Sequence, residues 1–140
     1  MAKDPPGAGT SKEINLTIPM LPNMEIAATQ TAEAVARFME FEPDQIDAVK
    51  IALIEACINA FEYSNSSEGQ VYIKFIMNPE DLVVVIRDHG KGFDPEHPAA
   101  VPKKHRGKGL TIMRGLMDNV EIASGPDGTT ITMSKARASR

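Results

Sequence analysis

The sequence predicts an α/β (α+β) fold, a two-layer sandwich of a mixed, mostly antiparallel sheet with helices on one face. Three observations carry this prediction. Five segments have the alternation or the short continuous apolar run of a strand, and three have apolar residues at helical spacing. Their order is strand, helix, helix, strand, strand, helix, strand, strand, so consecutive strands joined by short turns pair as antiparallel hairpins. Strands do not alternate with helices throughout, which excludes a doubly wound sheet.

Residues 1–12, "MAKDPPGAGTSK", are rich in Pro, Gly and small polar residues and form a loose leader. "EINLTIP" then places Ile14, Leu16 and Ile18 on one face of a strand that Pro19 ends. A helix runs from Asn23, its N-cap, to about Phe41, with Ile26, Ala34, Val35 and Phe38 toward the core. Pro43 stops it and starts a second helix, Asp44 to Tyr63, with Asp44 in the first turn. This helix carries Ile46, Val49, Leu53, Ala56 and Ala60 on its apolar stripe. "NSSEGQ" is a loop, Val71, Ile73, Phe75 and Met77 alternate as a strand, and "LVVVIR" is a more fully buried one after the turn "NPED". From Asp88 to about Lys108 no period is visible, and ~20 residues without structure usually form a functional lid or a disordered segment. A helix at Leu110 to Met117, a strand "NVEIAS", a turn "GPDG" and a last strand "TTITMSK" close the fold.

The 140 residues suffice for one domain, 13–135, followed by a basic tail at 136–140. A net charge of −4 with mixed signs gives no electrostatic footprint for nucleic acid. The basic residues Lys135, Arg137 and Arg140 read as solubilising. One cysteine, Cys57, excludes an internal disulfide and a cysteine-based zinc site, and fits a reducing cytoplasmic setting. No apolar run approaches the ~20 residues of a membrane span, and no signal-peptide core is visible, so no membrane partner is expected.

Four short stretches carry chemistry. In "IEACINA", Glu55 and Asn59 are four apart and so share one helix face. They are either a solvated surface pair or a site in which Asn59 offers an oxygen to Mg²⁺ and Glu55 polarises a nucleophile. "RDHGKGF" breaks an apolar strand with Asp88, and Gly90 and Gly92 follow; it is either a turn or a wall against which a ligand approaches bare backbone. There Asp88 accepts a hydrogen bond from an exocyclic amino group such as that of adenine. "RGKGLTIM" runs two glycines into an amphipathic helix, a Gly-containing cap or an anion site made of free N–H groups, with Arg106 and Lys108 adding charge. It lacks the Walker A spacing. "GTT" at 128–130 opens the last strand, where it reads as the continuation of a hairpin turn or as a hydroxyl that helps to hold a base.

The order of these pieces, each in the right kind of element, resembles the gyrase/histidine-kinase/MutL ATPase superfamily with its Bergerat nucleotide fold. Within it, the short stand-alone length and the stretches "EACINA", "DHGKGFDP", "RGKGLTIMRGLMDNVE" and "GTTITMSK" look like the bacterial anti-sigma factor serine/threonine protein kinases. The likeness spans about residues 13–135.

That resemblance implies an enzyme that binds ATP or ADP with Mg²⁺. Asn59 would hold the Mg²⁺, and Glu55 would accept the proton from an incoming hydroxyl. Asp88 would pair with the adenine amino group, and Thr129 or Thr130 would contact the base. Gly90, Gly92 and Phe93 belong to the ATP-binding stretch, with Gly92 letting the purine lie on the backbone. Gly107, Lys108, Gly109 and Leu110 would cradle phosphates, Arg106 would stabilise charge on the γ-phosphate, and residues 94–108 would be the lid. The implied partners are an anti-anti-sigma factor carrying the acceptor Ser or Thr, a sigma factor, and a second copy in a homodimer. Exposed residues of the first helix region are the expected partner surface. Sigma-binding relatives carry an arginine about where Ala28 stands, which leaves a switch-protein kinase acting on other regulators open.

Two other classes compete with this one. A nucleotide-gated binding module would use the same residues only to order the lid. The catalytic fragment of a histidine kinase would need a preceding helix pair with an acceptor histidine, whereas His89, His97 and His105 all fall in the loop region and are spaced too widely for a zinc cage. A topoisomerase or repair ATPase would need a transducer domain. Cys57, between Glu55 and Asn59, reads as a small packed hydrophobe, and Met113 and Met117 as core.

Overall fold

A computed structural model describes residues 12–63, 67–90 and 108–137. The order is β1 (Lys12–Pro19), α1 (Glu25–Phe38), α2 (Pro43–Tyr63), β2 (Gln70–Met77), β3 (Asp81–Asp88), α3 (Lys108–Leu116), β4 (Asn119–Gly125) and β5 (Gly128–Ala136). The strands form one sheet in the order β1-β2-β3-β5-β4. All four pairings are antiparallel, so the sheet has no parallel pair among the described residues.

Alternation decides the layering. Val71, Ile73 and Phe75 on β2, Leu82, Val84 and Ile86 on β3, and Ile131 and Met133 on β5 are buried in one core with the inner faces of α1 and α2 and with Met113 of α3. Tyr72, Lys74, Val83, Val85, Arg87, Thr130 and Thr132 alternate with them and face the other way, partly or fully exposed. On α2 every residue of the expected stripe, Ile46, Val49, Leu53, Ala56 and Ala60, is buried.

The junction between α1 and α2 is built from local hydrogen bonds. The Phe41 N–H donates to the Ala36 carbonyl at 3.0 Å and the Glu40 N–H to that of Arg37 at 2.9 Å, with Glu40 in the left-handed region at φ 63°. This 6→1 and 5→2 pattern is a Schellman cap, and it ends α1 at Phe38 rather than at Phe41. Pro43 then opens α2, where its missing N–H costs nothing. The Gln45 side chain reaches back to accept the Glu42 N–H at 3.1 Å and donates to the Ala136 carbonyl at 2.9 Å, which ties α2 to the end of β5.

The first helix corrects two expectations, its cap and its buried face. Asn23 is not its N-cap: it sits in the left-handed region at φ 75°, and Met24 precedes the first turn with no side-chain cap. Ile26 and Phe38 are 50% and 71% exposed, and Ala34 is exposed as well. The buried stripe is instead Ala28, Thr29, Ala32, Val35 and Ala36, because small side chains let α1 approach its neighbours closely. Ala28 is therefore fully inside and presents nothing to a partner. Phe38→Ala is expected to change stability by no more than about 0.5 kcal/mol, whereas Val35→Ala costs about 1–3 kcal/mol in urea unfolding. Equal losses would contradict the observed helix face.

Among the described residues no helix is long and apolar enough to cross a membrane.

Candidate functional site

Helices α2 and α3 pack together, and α2 lies against β3 and β5 on the buried face of the sheet. Near its C-terminal end, α2 carries Glu55, half-buried, and Asn59, 7% exposed. Their four-residue spacing stacks them on one face, and the neighbouring Ala56, Cys57 and Ala60 hold that face against the core. The first turn of α3 lies directly over them. A Cβ at Gly109 would be 3.1 Å from Glu55 Oε1, 3.2 Å from Asn59 Oδ1 and 3.3 Å from Asn59 Nδ2. Only a residue without a side chain lets the amino-terminal turn of α3, with its positive dipole end, come this close to the pair. Lys108 beside it is exposed, and Leu110 anchors the turn by packing against the core.

Gly109→Ala separates site from fold. Alanine is the better helix former by about 1 kcal/mol, so the variant should melt no earlier than wild type. The added methyl must push Glu55 and Asn59 aside, and nucleotide binding should fall at least about tenfold, as measured by calorimetry. Unaltered binding would mean that the glycine serves the helix and not the site.

Asp88 is the last residue of β3 and only 4% exposed. Its Oδ1 accepts the Gly90 N–H at 2.9 Å, closing an Asx turn. Burial raises its pKa above the ordinary aspartate value, opposed by hydrogen bonds from the Gly90 and Thr129 backbone and by the charge of His89. The site thus keeps a buried carboxylate that accepts from backbone N–H groups, and a carboxyl perturbed by burial is a candidate functional group.

Thr129 pairs with Asp88 across β3 and β5 and is 4% exposed on the same face. Its Oγ1 lies 2.7 Å from Ser124 Oγ on β4. Thr130 alternates to the opposite face, across from Arg87, so of the two threonines only Thr129 shares a face with Asp88. Gly128 has φ 131°, and a Cβ there would collide with the Asp88 carbonyl oxygen. The glycine of "GTT" is therefore required because the β4–β5 turn presses on the end of β3.

One neighbour has more to do than its sequence suggested. His89 is not an idle loop charge: its Nδ1 is 3.0 Å from Glu68 Oε1, and its ring packs on Tyr72 with centroids 5.0 Å apart. The Tyr72 hydroxyl meets the same Glu68 at 3.1 Å. This cluster holds the turn after Asp88 against the start of β2. Alternation on β2 and β3 was the signal that could have found it, since it puts Tyr72 beside Arg87 at the same sheet end.

Gly92, Phe93, Arg106, Gly107 and residues 94–107 of the expected lid lie outside the described residues, as do the leader before Lys12 and the tail beyond Arg137. Cys57 is fully buried, and burial pushes its thiol up to about 12, so it is packed and protonated at neutral pH. Met113 and Met117 are buried in the core.

The donors suit a hard cation. Asn59 offers a nearly buried amide oxygen, and among the described residues no group of three His, Cys, Asp or Glu is placed to form an all-protein metal cage. Mg²⁺ held here would have one protein oxygen and complete its shell with phosphate and water, which is its usual preference.

A glycine-started helix over a Glu/Asn pair, beside a buried strand-end aspartate and on one face of an antiparallel sheet, defines an ATPase domain of the gyrase/histidine-kinase/MutL type. Comparison with known proteins agrees. The histidine kinase-like ATPase domain family matches residues 18–135. The chain is 32% identical over 135 residues to the serine-protein kinase RsbW of Bacillus velezensis, covering 87% of this chain and 84% of that one. It is 32% identical over 133 residues to the anti-sigma F factor of Bacillus licheniformis, covering 88% of this chain and 91% of that one. The crystal structure of the RsbU and RsbW domains of a Mycobacterium tuberculosis protein superposes with a TM-score of 0.72 over 92% of this chain and 34% of that one, at 16% identity, a likeness of fold. The chain belongs to the histidine kinase-like ATPase domain family, within its group of anti-sigma factor serine-protein kinases.

Proposed function

We propose that the protein is a protein serine/threonine kinase that transfers the γ-phosphoryl group of Mg-ATP to a Ser or Thr of an anti-anti-sigma factor, and that it sequesters a sigma factor in a partner-switching pathway. The observation that carries this reading is the approach of Gly109 to Glu55 and Asn59 within 3.1–3.3 Å of a Cβ position. It brings an anion-binding helix start, a carboxylate and a metal-suited amide to one point.

The roles follow from what phosphoryl transfer demands, mostly positioning and neutralisation of charge. Asp88 accepts from the adenine amino group and fixes the base at the ends of β3 and β5. The first turn of α3, with Lys108 and Gly109, faces the phosphates, and Arg106 and Gly107 extend that cradle. Asn59 would hold Mg²⁺, which would supply neutralisation of phosphate charge. The acceptor hydroxyl oxygen forms a bond to the γ-phosphorus as the bond to the ADP oxygen breaks, and Glu55 takes the hydroxyl proton. Gly92 and Phe93 complete the purine-binding stretch. The relatives' names support the kinase and the anti-sigma roles. The cytoplasm as setting and a homodimer as working form belong to the same reading.

Incubation with radiolabelled ATP, Mg²⁺ and the anti-anti-sigma factor encoded nearest to this gene tests it. Label should appear on a Ser or Thr of the acceptor. Tight ATP binding and partner capture without label would instead identify a nucleotide-gated binding module.

A further inference from the structure

Three polar residues occupy one rung across three strands: Asp88 on β3, Thr129 on β5 and Ser124 on β4. The Thr129 backbone hydrogen-bonds the Asp88 carboxylate, and the Thr129 and Ser124 hydroxyl oxygens are 2.7 Å apart. Asp88 and Thr129 are buried and Ser124 half-buried, so the row runs from the sheet interior toward its β4 edge. Ser124 lies outside every motif of the sequence and meets the site through Thr129.

We propose that Ser124 is a positioning residue for purine selection: its hydroxyl donates to Thr129 Oγ1 and so directs the single Thr129 proton toward the base. This rests on Asp88 being the carboxylate that reads the base. A hydroxyl owns one proton, and an ionised carboxylate owns none. If Thr129 gave its proton to Ser124, the rung would offer the ligand acceptors alone. With Ser124 as donor, Asp88 accepts and Thr129 donates side by side. A 6-aminopurine edge presents the complement, an amino donor beside the N1 acceptor. A 6-oxopurine presents the reverse, an O6 acceptor beside an N1–H donor, and meets a mismatch at both positions. Without Ser124 the Thr129 hydroxyl rotates freely and can accept from N1–H, leaving discrimination to Asp88 alone. Unpaired buried polar groups are costly enough for such an edge to select strongly.

Calorimetric titration with Mg-ATP and Mg-ITP tests the assignment on wild type, Ser124→Ala, Ser124→Thr and Thr129→Val. Wild type should prefer ATP, Ser124→Ala should lower the ATP-to-ITP affinity ratio roughly tenfold, and Ser124→Thr should keep it. Thr129→Val should lower the ratio similarly, and the double variant Ser124→Ala/Thr129→Val no further, because the two hydroxyls act as one unit. If Ser124→Ala folds poorly, Ser124→Cys, of similar size and a weaker donor, gives the same comparison. A ratio unchanged in Ser124→Ala, or a parallel loss for both nucleotides, overturns the role of Ser124 and leaves Asp88 standing. A wild type that binds ATP and ITP equally removes the base reading itself, and the inference with it.

Discussion

Glu55→Gln is expected to leave Mg-ATP affinity nearly unchanged and to lower label transfer to the acceptor protein by roughly 10²–10⁴-fold, the usual contribution of a positioned general base. The amide keeps the shape of the carboxylate and its contact with the start of α3, where Glu55 Oε1 and Asn59 both border Gly109. It loses the negative charge and with it the ability to take a proton. The measurement is single-turnover transfer beside a calorimetric ATP titration, so that chemistry and binding are read separately. Transfer at the wild-type rate would remove Glu55 as the base and leave it a lining residue. A joint loss of binding and transfer would mean that its charge holds the site together. Asn59→Ala should divide the other way, weakening Mg²⁺-dependent binding more than metal-free binding.

The second large effect is expected at Asp88. Asp88→Asn should weaken ATP binding by about 100-fold, because the amide keeps one acceptor oxygen and must set its NH2 against either the amino group or the backbone N–H groups that the carboxylate now accepts. Buried as it is, Asp88 has a pKa above the ordinary aspartate value, and protonation turns one of its two acceptor oxygens into a donor, so the ionised form is the one that can accept from the backbone N–H groups and from an adenine amino group together. ATP affinity of the wild type should therefore fall on acidification through that raised pKa, at higher pH than an exposed aspartate would give. The variant has no such step, so the difference between the two curves isolates Asp88 from the titration of ATP. The stability of the free protein runs the opposite way: a carboxyl whose folded pKa is raised favours the folded state most when protonated, and that contribution is lost as pH rises through the raised value. Superimposable pH profiles for wild type and Asp88→Asn would return "RDHGKGF" to being a turn.

The elements that were legible in the sequence are those governed by local rules. The stripe Ile46, Val49, Leu53, Ala56 and Ala60 placed α2 correctly because period and burial agree along its whole length. Pro43 marked its start for a covalent reason. The first helix was misread on one face because Ile26 and Phe38 are large and apolar yet exposed, while Ala28, Ala32 and Ala36 are buried. Hydrophobicity ranks those residues the other way, and only close helix packing makes small side chains the interior ones. Asn23 was misplaced because a left-handed asparagine and an N-cap asparagine look alike in one dimension.

The candidate site divides in the same manner. The pair Glu55 and Asn59, the strand-end Asp88 and the glycines around Lys108 are visible as spaced residue types, since helical and strand periods fix which side chains share a face. Their membership in one site depends on long-range placement. Gly109 meets α2 across fifty residues of chain, Gly128 meets the carbonyl of Asp88, and Thr129 rather than Thr130 shares a face with Asp88 because the register of β3 with β5 sets it. Ser124 had no signal of its own, and alternation on β2 and β3 hinted only at the sheet end where His89 sits: each meets a partner, Thr129 or Glu68 with Tyr72, that only folding brings near. By itself the sequence determined the elements, the family and the chemical types available, because these follow from local period and composition. The tertiary structure alone decided which of those groups converge and which face each threonine takes, because register and close approach are properties of pairs of segments.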